Sequence, residues 1–310
     1  MAALMPMRRG RCGKLLAHFQ PDFTNMKRQD FRFFHRLRVR WVEVDMQKIV
    51  FNAHYLMYFD TAMADYWRAL ALPYEEAMLQ LGGDLYVKKA SIEYHGSAHF
   101  DDRLDVALTC ARVGKSSMVF SGAIFRGDEL LITCELIYVF ADPASQTAKP
   151  VPDALRSLLT CFEAGEAMLQ IKTGGWAALG TDAAKVRTAV FVQEQGIPLE
   201  MEWDEADATA VHAVAYNSLG QGIATGRLLR HASDVGKIGR MAVHRALRGS
   251  HVGQSILHTL MDAAQQRGDA EVMLYAQRSA EGFYQRLGFA PRGAPFDEVG
   301  IPHIEMFKAL

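Results

Sequence analysis

Two short stretches of this chain carry residue types and spacings that could do chemistry. The first is RALRGSHVGQSILHTLMDAA, Arg245 to Ala264, where Gly249 and Gly253 stand four apart ahead of an amphipathic run. Backbone N–H groups in a turn that opens a helix can gather around a pyrophosphate, and the helix dipole favours the anion. Arg248, Gly249, Ser250, His251, Val252 and Gly253 would form that turn. A plain strand-to-helix connection looks the same, so the loop alone leaves both readings open. The second stretch is VDMQKIVFNAHYL, with Asp45 as its acid. Asp45 follows a strand-like run and precedes a helix that begins near Asn52 to His54. A carboxylate placed there faces the unpaired N–H groups of a helix start. It can attack a carbonyl carbon or activate water while those N–H groups hold the carbonyl oxygen. It can equally well end the strand or cap the helix.

The elements that would position these residues divide near residue 150. RLRVRWVEV alternates charge and bulk at period two, as a half-buried strand does. His54 to Leu72 is rich in aromatics and alanines at helical spacing. Four β-rich runs follow Gly82-Gly83: LYVKKASIEYHGSA, DRLDVALTCARVG, SSMVFSGAIFRG and ELLITCELIYVFAD, with Gly-Lys and Gly-Asp marking two of the turns. One strand, one long helix and four antiparallel strands result, with the helix as the candidate cover for one sheet face. ADPASQTAKPVPD is a loop with three prolines, and ALRSLLTCFEAG a short helix. The pattern then turns to mixed α/β. LQIKTGGW reads as a strand, and TDAAKVRTAVFVQEQG as a helix N-capped by Thr181. TAVHAVAY and GIATGRLLR form a hairpin around SLGQ, and VGKIGRMAV is the strand before the glycine loop. EVMLYA is a strand, SAEGFYQRL a short helix and PHIEMFKAL a closing strand.

Bulk composition narrows the function classes. At 310 residues the chain has room for two ordinary domains. Half the residues are apolar and 22% are charged, the profile of a packed, soluble, cytoplasmic protein. A formal net charge of -1 gives no global attraction for nucleic acid. No apolar run reaches the roughly 18 residues of a membrane span. Cys12, Cys110, Cys134 and Cys161 lie far apart without metal-site spacing, so reduced thiols and no metal are expected. Residues 1–30 are basic and nearly free of acids. They read as a disordered extension, or as a start placed too early, with Met26 the alternative.

The first half has a recognisable pattern. VRWVEVDMQKIVFNAHYLMYFDTA, then a long helix and four strands, resembles the hotdog-fold acyl-CoA thioesterases of the 4-hydroxybenzoyl-CoA thioesterase and YbgC type. The resemblance covers roughly residues 34 to 160 and implies an α+β fold with an antiparallel sheet wrapped around a long helix. It implies that Asp45 is nucleophile or general base, and that the backbone N–H of Asn52 polarises the thioester carbonyl. It also implies pairing into a homodimer or tetramer. Lys48 stands where the family often has glycine, so it either reshapes the turn or reaches a CoA phosphate. His54 and Tyr55 match common residues at the helix start, where packing is an equally good role.

The second half resembles another family. VRTAVFVQEQGIPLE, the glycine loop, EVMLYAQRSAEGFYQRLGFAPRG and the late IPHIEM are similar to the GCN5-related N-acetyltransferases of the ElaA/YjcF-like branch, over residues 166–310. An α/β fold is implied. The phosphate loop, Q/R-x-x-G-x-G/A, maps onto Arg248 to Gly253, with His251 replacing the first motif glycine. Main-chain groups of Met241, Ala242 and Val243 would meet the pantetheine arm. Tyr284 matches the tyrosine that protonates the leaving thiolate, although burial beside Phe283 and Phe289 would also explain it. No base stands out. Glu194, Glu200, Glu202, Asp204 and Asp207 would suit a cationic amine, or form a solvated acidic loop.

Together these readings predict a basic extension (1–30), a hotdog domain (31–165) and an acetyltransferase domain (166–310). Acyl-CoA or acetyl-CoA is the co-substrate and an amine the acceptor, with no nucleic-acid or membrane partner. Hydrolysis belongs to the first domain and transfer to the second. In the alternative, one domain, foremost the hotdog, is a dimerising or acyl-CoA-sensing scaffold.

Overall fold

The structure, a computed structural model, describes residues 26–298 and 300–310. Most of the basic extension, with Cys12, therefore lies outside the described residues. The chain falls into two compact units, the first ending at Met168 and the second spanning Leu169–Leu310. No disulfide joins Cys110, Cys134 and Cys161.

Alternating and β-branched runs give the first unit its strands. In chain order it has β1 (Phe33–Arg38), α1 (Asn52–Ala69), α2 (Tyr74–Leu81), β2 (Asp84–Tyr94), β3 (Arg103–Val113), β4 (Ser117–Arg126), β5 (Glu129–Ala141) and α3 (Asp153–Glu163). The strands form one antiparallel sheet, ordered β1-β3-β4-β5-β2. α1 lies on this sheet because its aromatic face has a matching gap. A Cβ at Gly122 of β4 would come within 2.5 Å of the buried Phe59 ring, so glycine is what lets the helix seat. Two turns on, Tyr66 packs edge-on against Phe33, Phe120 and Phe162 at 5.2–5.5 Å. From periodicity alone, α1 is the single expected cover for the sheet. α3 shares that role, burying Leu155, Leu158, Leu159 and Phe162, and a cluster of Met26 and Phe31 with Ala107, Ala123 and Phe125 adds to the core.

The run RLRVRWVEV does not stay extended. β1 ends at Arg38 and Trp41–Glu43 turn as a 3-10 helix. The cause is Glu43. Its buried carboxylate accepts from the Arg40 backbone N–H (2.7 Å), the Arg40 guanidinium and the Tyr58 hydroxyl (2.8 Å), which folds the chain back on itself.

The second unit holds β6 (Leu169–Gly174), α4 (Trp176–Arg187), α5 (Leu199–Glu202), β7 (Val211–Asn217), β8 (Gly222–Ala232), β9 (Val235–Val243), α6 (Val252–Arg267), β10 (Glu271–Gln277), α7 (Glu281–Arg286), β11 (Ala290–Glu298) and β12 (Ile301–Ala309). The sheet order is β11-β12-β10-β9-β8-β7-β6. Only β9 and β10 are parallel, and the crossover that a parallel pair requires is α6. Thr181 is not an N-cap. The helix starts five residues earlier, after Gly175, because Trp176 packs against Gly180 and Trp203. Past Arg187 the chain widens into a π-helical turn, Thr188–Glu194. β11 gives no sequence signal of a strand because it contains Pro291, Gly293 and Pro295. It lies at the sheet edge, exposed throughout, with a register break between Arg292 and Phe296, where proline costs no ladder bond.

Candidate functional site

Each unit presents one site. In the first, Asp45 starts a tight hairpin. The Lys48 N–H donates to the Asp45 carbonyl, the Asp45 N–H donates to the Ile49 carbonyl (both 2.9 Å), and Val44 bridges Val50. This geometry requires a left-handed residue before the return strand. Lys48 supplies it with φ 64°, so lysine takes the conformation glycine would have, and its side chain points into solvent. One Asp45 carboxylate oxygen accepts from the Gln47 N–H at 2.8 Å. The other makes no protein hydrogen bond among the described residues. Asp45 therefore fixes its own turn and does not cap α1, whose N-cap position is Phe51 without a side-chain bond.

The hairpin brings the chain back beside the start of α1. The Phe51 N–H donates to the Glu43 carbonyl, and Asn52 follows as the first, exposed helical residue. Its N–H belongs to the first turn and has no intrahelical acceptor. Tyr55 is buried, and its hydroxyl accepts from the Ala98 N–H at 3.0 Å, which is a positioning bond. His54 sits beside Phe51, with its Nδ1 buried and unpaired. Further along α1, a cleft of about 460 Å³ opens between Leu56, Met57 and Asp60 of the helix and Val87, Leu136 and Tyr138 of the sheet.

In the second unit the site is made by two strands parting. β9 and β10 pair only from Val235–Lys237 to Glu271–Met273. Beyond that, the side of β9 away from β8 has no strand neighbour, which frees main-chain groups of Met241, Ala242 and Val243 to bind an extended arm. A bulge at Arg240 and Met241 opposite Gly226, with Arg240 at φ 50°, turns the strand there. The Val243 carbonyl accepts from the Arg248 guanidinium at 3.2 Å, and that guanidinium also forms a two-pronged pair with Glu194 at 2.6 and 2.7 Å. Hydrogen bonds from Arg248 hold the Glu194 carboxyl below its usual range.

The glycine loop follows directly. Gly249 has φ 84° and His251 φ 64°, so both adopt the left-handed conformation. Among the described residues, the N–H groups of Gly249, His251, Val252 and Gly253 meet no protein acceptor and collect at the α6 start. Gly253 lets the helix close on β9, since a Cβ there would lie 3.2 Å from Val243 Cγ2. The His251 ring is tied to its own helix, with Nδ1 3.2 Å from Gln254 Oε1.

A cleft of about 440 Å³ runs through the splayed strands, lined by Lys237, Met241, Tyr275, Tyr284, Glu298 and His303 among others. Tyr284 is packed as the burial reading expects, and it also borders the cleft. Its ring lies 5.0 Å from Phe283 and 5.8 Å from Phe289. Burial pushes its phenol up to about 12, so it remains a proton donor at neutral pH.

Of the acids expected to face an amine, Glu200 is exposed and Glu194 pairs with Arg248, while the other three are held by guanidiniums. Glu202 and Asp207 are buried against Arg187, Asp207 and Asp204 bind Arg227, and Arg240 reaches Asp204 at 3.2 Å. Three carboxylates thus meet three guanidiniums. Burial alone would raise the Asp207 carboxyl, but the hydrogen bonds from Arg187 and Arg227 outweigh it and pull it down. Asp204 is lowered chiefly by its bond to Arg227. Sequence reasoning missed Lys237 and His303, which came to attention only as parts of strands. The β10–β12–β11 register sets Gln277, His303 and Phe296 in one row, of which Gln277 and His303 line the cleft, and that row cannot be seen without β11.

These two constructions define a thioesterase-like unit followed by a CoA-dependent transferase-like unit, and comparison with known proteins agrees. The thioesterase superfamily model matches residues 47–133, beginning just past Asp45, and the acetyltransferase (GNAT) domain model matches residues 181–310. The chain belongs to the GNAT family through its second unit and to the thioesterase superfamily, with its hotdog fold, through its first. It is 36% identical over 128 residues to YjcF, an uncharacterised N-acetyltransferase of Bacillus subtilis, covering 41% of this chain and 90% of that protein. It is likewise 36% identical over 130 residues to ElaA of Escherichia coli, covering 41% and 84%. In the first unit it is 30% identical over 96 residues to an Aquifex aeolicus protein described as a candidate esterase, covering 31% and 74%. No helix among the described residues is long and apolar enough to cross a membrane.

Proposed function

We propose that the chain is bifunctional toward acyl-CoA: the first unit hydrolyses the thioester and the second passes the acyl group to an amine. One observation carries this reading. The two residues that depart from the family patterns, Lys48 and His251, both adopt the left-handed backbone that the glycines they replace would adopt, so neither turn loses its shape. In the first unit, the free oxygen of Asp45 is the nucleophile or the base for water, and the Asn52 N–H steadies the developing oxyanion. In the second, the N–H groups of Gly249, His251, Val252 and Gly253 hold the pyrophosphate and Met241 to Val243 bind the pantetheine arm. Tyr284 protonates the departing thiolate.

Pairing of the first units fits the same reading. β2 is an eleven-residue edge strand, mostly exposed, that displays Tyr86, Val87 and Tyr94. An unpaired strand of that length is a template for a second copy, so a homodimer is the expected form. The deciding assay is thiol release from a panel of acyl-CoAs with and without amines. Release without amine reports hydrolysis, and extra release with an N-acyl product reports transfer. Absence of one activity in folded protein would leave the other unit as the only catalytic one, with its companion a scaffold or sensor.

A further inference from the structure

The acyl-transfer reading of the second unit leaves the acceptor undefined, and the cleft itself restricts it. The glycine loop lies past the C-terminal end of β9, so the phosphates of CoA are fixed at that end. Lys237 stands six residues before Val243, about 20 Å away along a strand. It is thus beyond the reach of the phosphates, at the last paired position before the strands part, and it lines the cleft. The Lys237 ammonium is partly buried, 3.9 Å over the Tyr275 ring. Among the described residues it has neither ion pair nor hydrogen bond. Burial lowers its basicity while the carboxylates of Glu298 and Glu305, too far for contact, partly offset this; a ligand anion in direct contact would stabilise it further. Beside it the three acids of the loop are already matched by three guanidiniums. The charged and titratable groups still available in the cleft are Lys237, Glu298 and His303.

His303 is built to take a proton. Its Nδ1 lies 2.8 Å from the Ile301 carbonyl, which can only accept, so Nδ1 carries the hydrogen and Nε2 keeps its lone pair. The ring is stacked on Phe296, with 5.9 Å between centroids and 23° between planes. Nε2 is 4.0 Å from a Glu298 carboxylate oxygen, a place where an ammonium would meet both groups.

We propose that the acceptor is a small primary amine bearing a carboxylate, such as an α-amino acid, with its carboxylate on Lys237 and its ammonium between Glu298 and His303. This rests on the acyl-transfer reading above. R–NH3+ gives one proton to His303 Nε2, and the freed nitrogen pair attacks the thioester carbonyl carbon to form the C–N bond. The C–S bond breaks as Tyr284 donates its proton to the thiolate. The second N–H proton of the former amine restores the Tyr284 hydroxyl, and the imidazolium returns its proton to water. Acyl-CoA and ammonium thus become amide, free CoA and one released proton.

The test uses the full chain, acetyl-CoA, and pairs of amines that differ only in having a free carboxylate or its amide, with the N-acetyl product measured by mass spectrometry so that hydrolysis does not interfere. Free carboxylates should be preferred in kcat/KM by about tenfold or more, the worth of one charge-assisted contact. Lys237→Met should raise KM for them by a similar factor and erase the preference, and Lys237→Arg should restore part of it. His303→Gln should lower kcat with little change in KM. Unchanged amine-free hydrolysis and unchanged acetyl-CoA binding in each variant show that folding is intact. Equal use of the amide partners, or a preference that survives Lys237→Met, would overturn this inference and leave transfer standing. Acetyl-CoA binding with no product from any amine would instead overturn the transfer reading, and this one with it.

Discussion

Replacing His251 by glycine is the sharpest test of the phosphate loop, because opposite roles for this residue give opposite results. The residue sits at φ 64° and ψ 4°. Holding a side chain there costs on the order of 1 kcal/mol. Glycine removes that cost but gives the unfolded chain back about 0.5–1 kcal/mol of freedom. The two nearly cancel, so the melting temperature of the second unit should move little. The N–H groups of Gly249, Val252 and Gly253 meet no protein acceptor among the described residues, and the imidazole is engaged with Gln254. CoA affinity should therefore stay equal or become slightly tighter. If the imidazole leaves Gln254 to donate to phosphate, loss of that charge-assisted bond would weaken binding by roughly tenfold to a hundredfold. Calorimetric titration of CoA into residues 169–310, expressed alone, distinguishes these outcomes. Gly253→Val serves as a positive control, since even a Cβ there lies 3.2 Å from Val243. A folded unit that binds no CoA, or Gly253→Val binding as wild type does, would refute the loop as the phosphate site.

Asp45→Asn should remove amine-independent hydrolysis by about a hundredfold or more while the turn survives, because the asparagine carbonyl can still accept from Gln47; unchanged hydrolysis in the purified variant would end the catalytic role of Asp45. Tyr284→Phe should cut amine-dependent transfer by about a hundredfold and leave CoA binding intact, and near-normal kcat would make Tyr284 a packing residue only. Asp207→Asn strips buried Arg187 and Arg227 of a shared partner and should cost about 3–5 kcal/mol in chemical unfolding. Since the folded-state Asp204 and Asp207 carboxyls lie below their unfolded value of about 3.9, their contribution is complete above about pH 4 and is lost as pH falls through the folded values. Acid melts of wild type should show that loss, and those of Asp207→Asn should show less of it. Val87→Lys on the β2 edge should shift sedimentation toward monomer if the first units pair through that strand.

Much of the architecture was legible because hydrophobic period and turn residues agree. The four long strands of the first unit and the β7–β8 hairpin are written in alternation broken by glycine. What failed did so for reasons that act over a distance. Glu43 breaks a well-alternating strand because it finds Arg40 and Tyr58, and Tyr58 lies fifteen positions away. Trp176 starts α4 early because Trp203 and Gly180 receive it, which outweighs the capping preference of Thr181. β11 carries two prolines and a glycine that would forbid a central strand but suit an edge. Site residues divide in the same way. Asp45, Tyr284 and the loop from Arg248 to Gly253 sit in local motifs. Lys237 and His303 acquire meaning only when β9, β10 and β12 lie side by side. The acids from Glu202 to Asp207 looked like a ligand surface until Arg187, Arg227 and Arg240 were found among them.

Backbone strain provides an independent pointer to the same places. Six non-glycine residues among those described have positive φ: Lys48, Ala71, Asp101, Gln146, Arg240 and His251. Three of the six lie in the candidate sites, at the Asp45 turn, the β9 bulge and the phosphate loop. Each costs on the order of 1–3 kcal/mol, which the surrounding structure must offset. Glycine would relieve the strain at each but would also free the unfolded chain, so stability is nearly indifferent to the exchange, and the contacts of the three side chains are what differ. Arg240 holds Asp204 and the Met201 and Glu202 carbonyls over the cleft. His251 ties the loop to α6 through Gln254. The Lys48 ammonium makes no hydrogen bond or ion pair among the described residues, and it places a free cation two residues from Met46, which is fully exposed. That cation lies beside the turn where a thioester would have to enter. If it steers the anionic CoA, Lys48→Gly should preserve the turn and kcat for hydrolysis, raise KM, and flatten the dependence of kcat/KM on salt. A KM unchanged at low ionic strength would show that the side chain does nothing for substrate.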